Sequence, residues 1–597
     1  MHLGSSGSPH TGTAGSTGQA RQAALRACSI AVLEPLERRL FLDSAYANIA
    51  GTWHAKETVT YTLRTNGKPE TGKESGSDDV TIYQKGNKVW YKRHWSVMGS
   101  SGTVTRSGTI KGNHVTLTGP FVIVAQGVKV ATNTCTLQGN LVGDTLRLTG
   151  SGHASGTADG NSFTCDGKAI GVLKRGPLFT WSMPERYGIR SKLSGLIELR
   201  NSYDYVNPRG YTLNLDASAS SRNVPSKNVL WTVRGNGLRK PRTARGKRVS
   251  INDLPQGTYA VTVRITMKDG VKTSSPTKVW LRDILIVAIG DSYSSGEGNP
   301  ERAKGFFSSA LWANGVTDAM ARENAEAHRS TACASSLAAL QIEKADPHSS
   351  VTFVLLSQSG ATVDSGVLGP KGGSESSSYT LSGQIDELRR IVGQRKIDIL
   401  TVSVGGNDIG FADRVADLVK GPLLQSQEQE LADIQAKLTP ALADLPRRYA
   451  NLARALGTFR VGRTIVTEYP DPTRDDSGEF AEFAGDYWWP LKIDRTEAEF
   501  AYRNALLPLN SAVAKAASDY GWRLATDIAD DFTFHGYAAA DHWFVTNTEA
   551  CALQGGGILG ISSGSLHPNA MGHHAIAGIV VEIMRAELAK VPAPSSS

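Results

Sequence analysis

Ser292 ends the stretch Ile284-Leu285-Ile286-Val287-Ala288-Ile289-Gly290-Asp291-Ser292, where an apolar run gives way to the small-residue turn Tyr293-Ser294-Ser295-Gly296-Glu297-Gly298. A hydroxyl lifted from a strand end by such a turn is a candidate nucleophile, and glycines there leave backbone N–H groups open to an oxyanion. Three other positions offer matching chemistry. His567, in Leu566-His567-Pro568-Asn569, is a candidate general base. Gly360 follows the apolar run Val351–Leu356, and Asn407 stands in Gly405-Gly406-Asn407-Asp408 after Ile397–Val404. An uncovered glycine amide and a carboxamide are uncharged donors suited to a tetrahedral oxyanion. Hydroxyl, imidazole and amide donors are together the parts of acyl transfer. Each alone has a plainer reading: Asn407 as a helix cap, His567 as a turn residue before Pro568.

Such groups meet only if several strands end at one edge. From Asp283 the chain alternates between strand and helix patterns. Strands are expected at 284–289, 351–356, 397–404, 461–467 and 522–527, and helices near 329–345, 380–393, 424–457, 496–520 and 570–589. Buried strands separated by helices give a parallel sheet covered on both faces, and open parallel sheets gather their chemistry at the strands' carboxyl ends.

Across roughly residues 282–590 the four blocks, in this order, resemble the SGNH (GDSL-type) hydrolases, and the Gly-Asp-Ser-Tyr-Ser-Ser-Gly-Glu-Gly form is most similar to their secreted bacterial esterase/lipase branch. The resemblance implies an α/β three-layer, flavodoxin-like domain. It implies Ser292 as nucleophile, His567 as base and later acid, an oxyanion hole of Ser292 N–H, Gly360 N–H and Asn407, and no metal or other cofactor. One departure stands out. The family's Asp-x-x-His is here Gly564-Ser565-Leu566-His567, so no aspartate orients the histidine at that spacing. A backbone carbonyl, that of Gly564, is expected to take the role, with Asp541 in Ala540-Asp541-His542-Trp543 as the rival. Asp291 is expected to secure the turn, and His328-Arg329-Ser330 and His573-His574 to be structural or to edge the site. A reading of another class is an inactive SGNH-like surface or matrix protein that binds glycan or lipid. The missing aspartate favours it; the four retained groups oppose it.

At 597 residues the chain should hold several domains. A net charge of +8 without a recognition module argues against nucleic-acid binding. No run of 18 apolar residues predicts a membrane-spanning helix, and no Cys-x-x-Cys or His-Glu-x-x-His motif predicts a metal site. Residues 1–47 read as a leader. Within it Leu33-Glu34-Pro35-Leu36-Glu37-Arg38-Arg39-Leu40-Phe41-Leu42 resembles the LEPRxLL-type segments of exported bacterial proteins, which implies secretion or display at the cell surface. Residues 48–176 alternate in short runs broken by Gly86-Asn87, Gly112-Asn113, Gly139-Asn140 and Gly143-Asp144, hairpin chemistry that predicts an antiparallel barrel. Gly51-Thr52-Trp53 is similar to the start of lipocalin-type barrels.

Residues 180–282 resemble a PKD/Ig-like sandwich. Arg239–Arg248 carries six positive charges, a solvated loop or a dock for acidic cell-surface polysaccharide. Residues 283–590 form the hydrolase, with Tyr487-Trp488-Trp489-Pro490 in an insert at 470–495, and 591–597 a tail. Cys28 lies in the leader. The other four cysteines suggest two disulfides in an exported protein, Cys135–Cys165 and Cys333–Cys551. The expected partner is an ester of a lipid or an acylated polysaccharide, acted on by a monomer.

Overall fold

The computed structural model describes residues 49–592, apart from 50, 66–67, 98–99, 126–127, 143–144, 159–160, 176, 193, 269, 275, 421–425, 483–492 and 556–561. The leader, Gly143-Asp144, the Tyr487–Pro490 aromatics and most of the tail lie outside the described residues.

The amino-terminal region is all β. Eight strands close into a barrel: β1 (Gly51–Thr65), β2 (Lys68–Lys85), β3 (Lys88–Val97), β4 (Ser100–Lys111), β5 (His114–Ala125), β6 (Val128–Val142), β7 (Thr145–Ala158) and β8 (Asn161–Arg175). Each pairs antiparallel with the next, and β1 pairs with β8 from Trp53↔Arg175 to Thr65↔Phe163. Gly86 and Gly112 turn the chain at positive φ between β2 and β3 and between β4 and β5, as two-residue hairpins require. Alternate residues face inward, and Trp53, Ile82, Tyr91, Leu117, Leu137 and Leu148 fill the interior with apolar side chains. The Trp53 indole N–H donates to the Ile49 carbonyl at 2.9 Å, which satisfies the one polar atom that this ring buries. Cys135 lies on β6 and Cys165 on β8, with β7 between them. Two strand spacings amount to roughly 9–10 Å, beyond the reach of a disulfide. The expected bridge is therefore not formed.

The remainder, from Phe179 to the carboxyl end without Ser220–Val224 and Thr262–Ser275, makes a second compact unit. Two small antiparallel ladders open it: β9 (Tyr211–Asp216) on β12 (Arg248–Leu254), and β10 (Val229–Gly235) on β11 (Arg242–Arg245). Strand β13 (Gly257–Met267) then pairs antiparallel with the first part of β14 (Thr277–Gly290). β14 changes character along its length. Up to Arg282 buried and half-exposed residues alternate, the mark of a sheet covered on one face; from Asp283 to Gly290 every residue is buried, as in a sheet covered on both.

That second half lies between β15 (Ser349–Leu355) and β16 (Ile397–Ser403), both parallel to it. β17 (Val461–Thr467) and β18 (Arg523–Ala525) extend the sheet, giving the order 2-1-3-4-5 among its parallel strands. Helices α1 (Ser292–Ser295), α2 (Ala334–Ala345), α3 (Gln384–Val392), α4 (Gln427–Leu456), α5 (Leu507–Tyr520), α6 (Asn547–Gln554) and α7 (Ala570–Ala589) accompany these strands.

Two expectations change here. The expected boundary near 282 falls inside β14. Moreover, residues 183–207 pack on the α/β core through Tyr187, Ile197, Leu199 and Val206. Glu343 on α2 accepts the amide N–H groups of Arg186 and Gly188 at 2.7 and 2.6 Å, and Asn201 exchanges two hydrogen bonds with the Leu355 backbone. The other expected disulfide is also absent. Cys333 is a buried free thiol at the start of α2, while the Cys551 thiol on α6 faces Asn547 Oδ1 at 4.0 Å. The helix expected from 329 begins at Ala334 instead: His328 takes φ +49 and Cys333, the N-cap residue, has extended backbone, so the chain between them is not helical.

Candidate active site

β14 ends at Gly290 with φ +143, where a Cβ would lie 2.0 Å from the Ser403 carbonyl oxygen; only glycine fits. Gln384 at the start of α3 clamps the same peptide, accepting from Gly290 N–H at 2.8 Å and donating to its carbonyl at 2.7 Å. The chain then turns into α1. Asp291 caps it by accepting from Tyr293 N–H at 3.0 Å, and Tyr469 after β17 donates to the other Asp291 oxygen. Burial pushes the Asp291 carboxyl up to about 7, against the lowering effect of the Tyr469 bond. Ser292 opens the helix, so its amide is one of the unpaired first-turn donors.

His567 approaches from the far end of the chain. Its Nε2 lies 2.7 Å from Ser292 Oγ, and its Nδ1 lies 3.1 Å from the Ser565 carbonyl oxygen. A carbonyl only accepts, so the ring proton sits on Nδ1 and Nε2 is free to take the serine proton. The loop holding this ring is fixed on both sides. Val545 N–H donates to the His567 carbonyl at 2.7 Å, and Tyr293 Oη donates to the Leu566 carbonyl at 2.8 Å. Burial lowers the His567 pKa, while the Glu297 carboxylate raises it; the net direction is down, which keeps the imidazole neutral.

Residues 286–580 match the family described as GDSL-like Lipase/Acylhydrolase. This part of the chain belongs to that family. The domain is a carboxylic ester hydrolase. No curated protein matches the sequence. Among solved structures, the chain is similar to an active-site mutant of a family two carbohydrate esterase from Clostridium thermocellum, at 10% identity and TM-score 0.24, covering 70% of this chain and 100% of that one. The ywiB protein from Bacillus subtilis aligns at 9% identity and TM-score 0.12, covering 20% of this chain and 92% of its own.

The GDSL-like domain brings most of the sequence-derived groups to one cavity of about 480 Å³. Ser292, His567 and Asn407 line it, together with the largely apolar Tyr469, Leu506 and Leu509 and the polar His328, Glu375 and Ser563. Asn407 donates through Nδ2 to the Ala361 carbonyl at 3.0 Å, and Asp408 accepts Val363 N–H at 3.0 and 3.1 Å while Arg448 neutralises it at 2.7 Å. The loops after β15 and β16 are thereby tied together. Gly360, one residue before Ala361, takes φ +73 and lies outside the cavity's described lining.

Among the described residues, neither the Gly360 nor the Ser292 amide donates to a backbone acceptor. Two backbone carbonyls act on the His567 ring and raise its pKa, those of Ser565 and Gly564; Ser565 faces Nδ1 at 3.1 Å, and Gly564 also accepts the His567 amide at 3.3 Å. Leu566 adopts φ +64, a left-handed turn that swings the neighbouring carbonyl under Nδ1. Asp541 is engaged elsewhere. Its side chain is 79% exposed and lies 3.5 Å from His535.

Sequence reasoning put His328 at the edge of the site but passed over the buried carboxylates that surround it. Glu297 is fully buried; its Oε2 faces His328 Nδ1 at 2.6 Å, and its Oε1 accepts from Gln554 at 2.6 Å and Ser563 at 3.3 Å. His328 Nε2 faces Glu375 at 3.0 Å, and Trp312 stacks on the ring with centroids 4.2 Å apart. With a carboxylate at each nitrogen, both positions donate and the ring is an imidazolium. Burial opposes that charge, but Glu297 outweighs it and raises the His328 pKa to about 9. Burial would also raise Glu297, yet the His328 charge and hydrogen bond hold it well below the usual carboxylate range. The sequence signal was present in Gly296-Glu297-Gly298, directly after the nucleophile turn; a charged residue between glycines there has no packing role of its own.

Proposed function

We propose that the chain is an exported serine esterase that works through an acyl-enzyme on Ser292. His567 Nε2 takes the Ser292 proton as Oγ attacks the ester carbonyl, then returns it to the leaving alcohol; water repeats the cycle in reverse and frees the acid. The oxyanion is held by the amides of Ser292 and Gly360 and by Asn407 Nδ2. In place of a triad aspartate, the Ser565 carbonyl sets the tautomer, and the buried Glu297 carboxylate stabilises the imidazolium across the loop without touching it. The observation that carries this reading is the 2.7 Å approach of His567 Nε2 to Ser292 Oγ in a cavity lined by both apolar and polar side chains. Such a mixed lining suits both an acyl chain and a hydroxyl-bearing alcohol, as in a lipid or an acylated polysaccharide. Export rests on the Leu33–Leu42 segment.

Purified protein should hydrolyse a p-nitrophenyl ester with EDTA present, and a fluorophosphonate should label Ser292. In Ser292→Ala, turnover should fall by about 10⁶-fold. Turnover that survives this substitution would overturn the assignment.

A further inference from the structure

Directly after the nucleophile block the chain makes a tight hairpin whose tip is Phe306-Phe307. Arg302 and Leu311 pair antiparallel, as do Gly305 and Ser308, leaving the two phenylalanines as the two turn residues. Turn tips normally carry Gly, Asn, Asp or Pro, because nothing there can cover an apolar ring. Here Phe306 is 93% exposed and Phe307 95%, and the rings pack edge-on against each other with centroids 4.6 Å apart. They serve no core. Two adjacent, uncovered aromatic rings are a standing cost in water unless another surface removes them from it.

The base of the hairpin is rigid and tied to the active site. Asn299 Nδ2 donates to the Pro568 carbonyl at 2.8 Å, next to His567. Glu301 accepts from Thr331 N–H and Oγ1 at 2.6 Å each, and Lys304 N–H donates to the Leu553 carbonyl at 2.8 Å. Lys304 also lies against Gly555, where a Cβ would meet its Nζ at 2.7 Å, and Gly555 lines the Ser292 cavity. The aromatic tip therefore stands beside the cavity on a pinned support. Arg302 and Lys304 flank it, both exposed, while the nearest acid in sequence, Glu301, is occupied by Thr331.

We propose that this hairpin is an interfacial anchor: Phe306 and Phe307 insert into an anionic lipid surface, Arg302 and Lys304 contact its headgroups, and the Ser292 cavity is thereby held at the lipid–water boundary. Aromatic rings at a tip with cations behind them match the order of an interface, apolar below and anionic above. The consequence for the substrate, a lipid ester presented at a surface, rests on the esterase reading given above; the docking itself does not.

The test uses the full chain carrying Ser292→Ala, so that binding is read without hydrolysis. Co-sedimentation is measured with phosphatidylcholine vesicles containing or lacking phosphatidylglycerol, at low and high salt. Binding should require the anionic lipid, weaken with salt, and fall by at least about tenfold in Phe306→Ser/Phe307→Ser with unchanged circular dichroism. Phe306→Trp/Phe307→Trp should retain it. No vesicle binding by the parent, equal binding by the serine variant, or retention on an apolar polymer bead but not on vesicles would each overturn the proposal. Vesicle binding together with an intact protein inert toward every ester would refute the esterase reading alone.

Discussion

In the barrel, burial is apolar: among its described residues Arg106 is the one charged side chain under cover, set over the Tyr91 ring at 5.4 Å. Around the Ser292 cavity the GDSL-like domain instead buries Asp291, Glu297, His328 and Asp408. Both regions are closed to water, but they use that closure differently. Apolar contacts in the barrel stabilise the fold in proportion to area. Buried charges in the hydrolase domain cost desolvation and return little net stability. What they return is a fixed electrostatic field in a dry site, where it acts most strongly on developing charge. The contrast teaches where to look for function: where burial and apolarity part company.

Substitutions can break or sharpen this contrast. The largest effect after Ser292 should come from Asn407→Ala, with kcat down by about 10²–10³-fold and KM little changed, since the amide acts on the transition state. Next is Glu297→Gln, which keeps the hydrogen-bonding shape and removes the charge. The groups acting on His567 are Glu297, His328 with Glu375 behind it, and His573 on α7. Glu297 raises the His567 pKa, so the variant's pKa should drop; the acid limb of kcat/KM should move to lower pH while the plateau falls roughly tenfold as imidazolium stabilisation is lost. A limb that moves to higher pH would show that Glu297 is structural only. Asp541→Asn should leave kcat within about threefold, as expected for an exposed side chain. Last, Leu117→Ala in the barrel should lower the stability of that region by about 2–5 kcal/mol, read by denaturant unfolding. Turnover of soluble esters should not change, and an effect on kcat would erase the distinction between the two regions.

The sequence made the hydrolase domain legible because its signals are local. A buried run followed by a small-residue turn can be read without any tertiary knowledge, and three such ends followed by a late histidine, in order, identify the family. Groups that meet from afar left no such trace. Gln384 clamps Gly290 across 94 residues, and Tyr469 reaches Asp291 across 178. Nothing in the local pattern of either announces it. The part played by Ser565 left no trace because the left-handed turn at Leu566, which brings its carbonyl to the ring beside that of Gly564, is a rare conformation for a branched side chain. Cysteine parity gave the disulfides no basis in geometry: with Cys135 and Cys165 on strands separated by a third, an even count carries no information about reach.

β14 carries a mechanical consequence. It is one uninterrupted strand from Thr277 to Gly290, hydrogen-bonded first to β13 and then to β15 and β16, and the nucleophile turn is its carboxyl end. Tension applied along it at Thr277 runs parallel to the strand, so the flanking ladders are loaded in shear and must yield together, not one bond at a time. The Ser292 turn thus sits behind a clamp that a pull at Thr277 loads in shear, where a hairpin pulled at its open end would unzip.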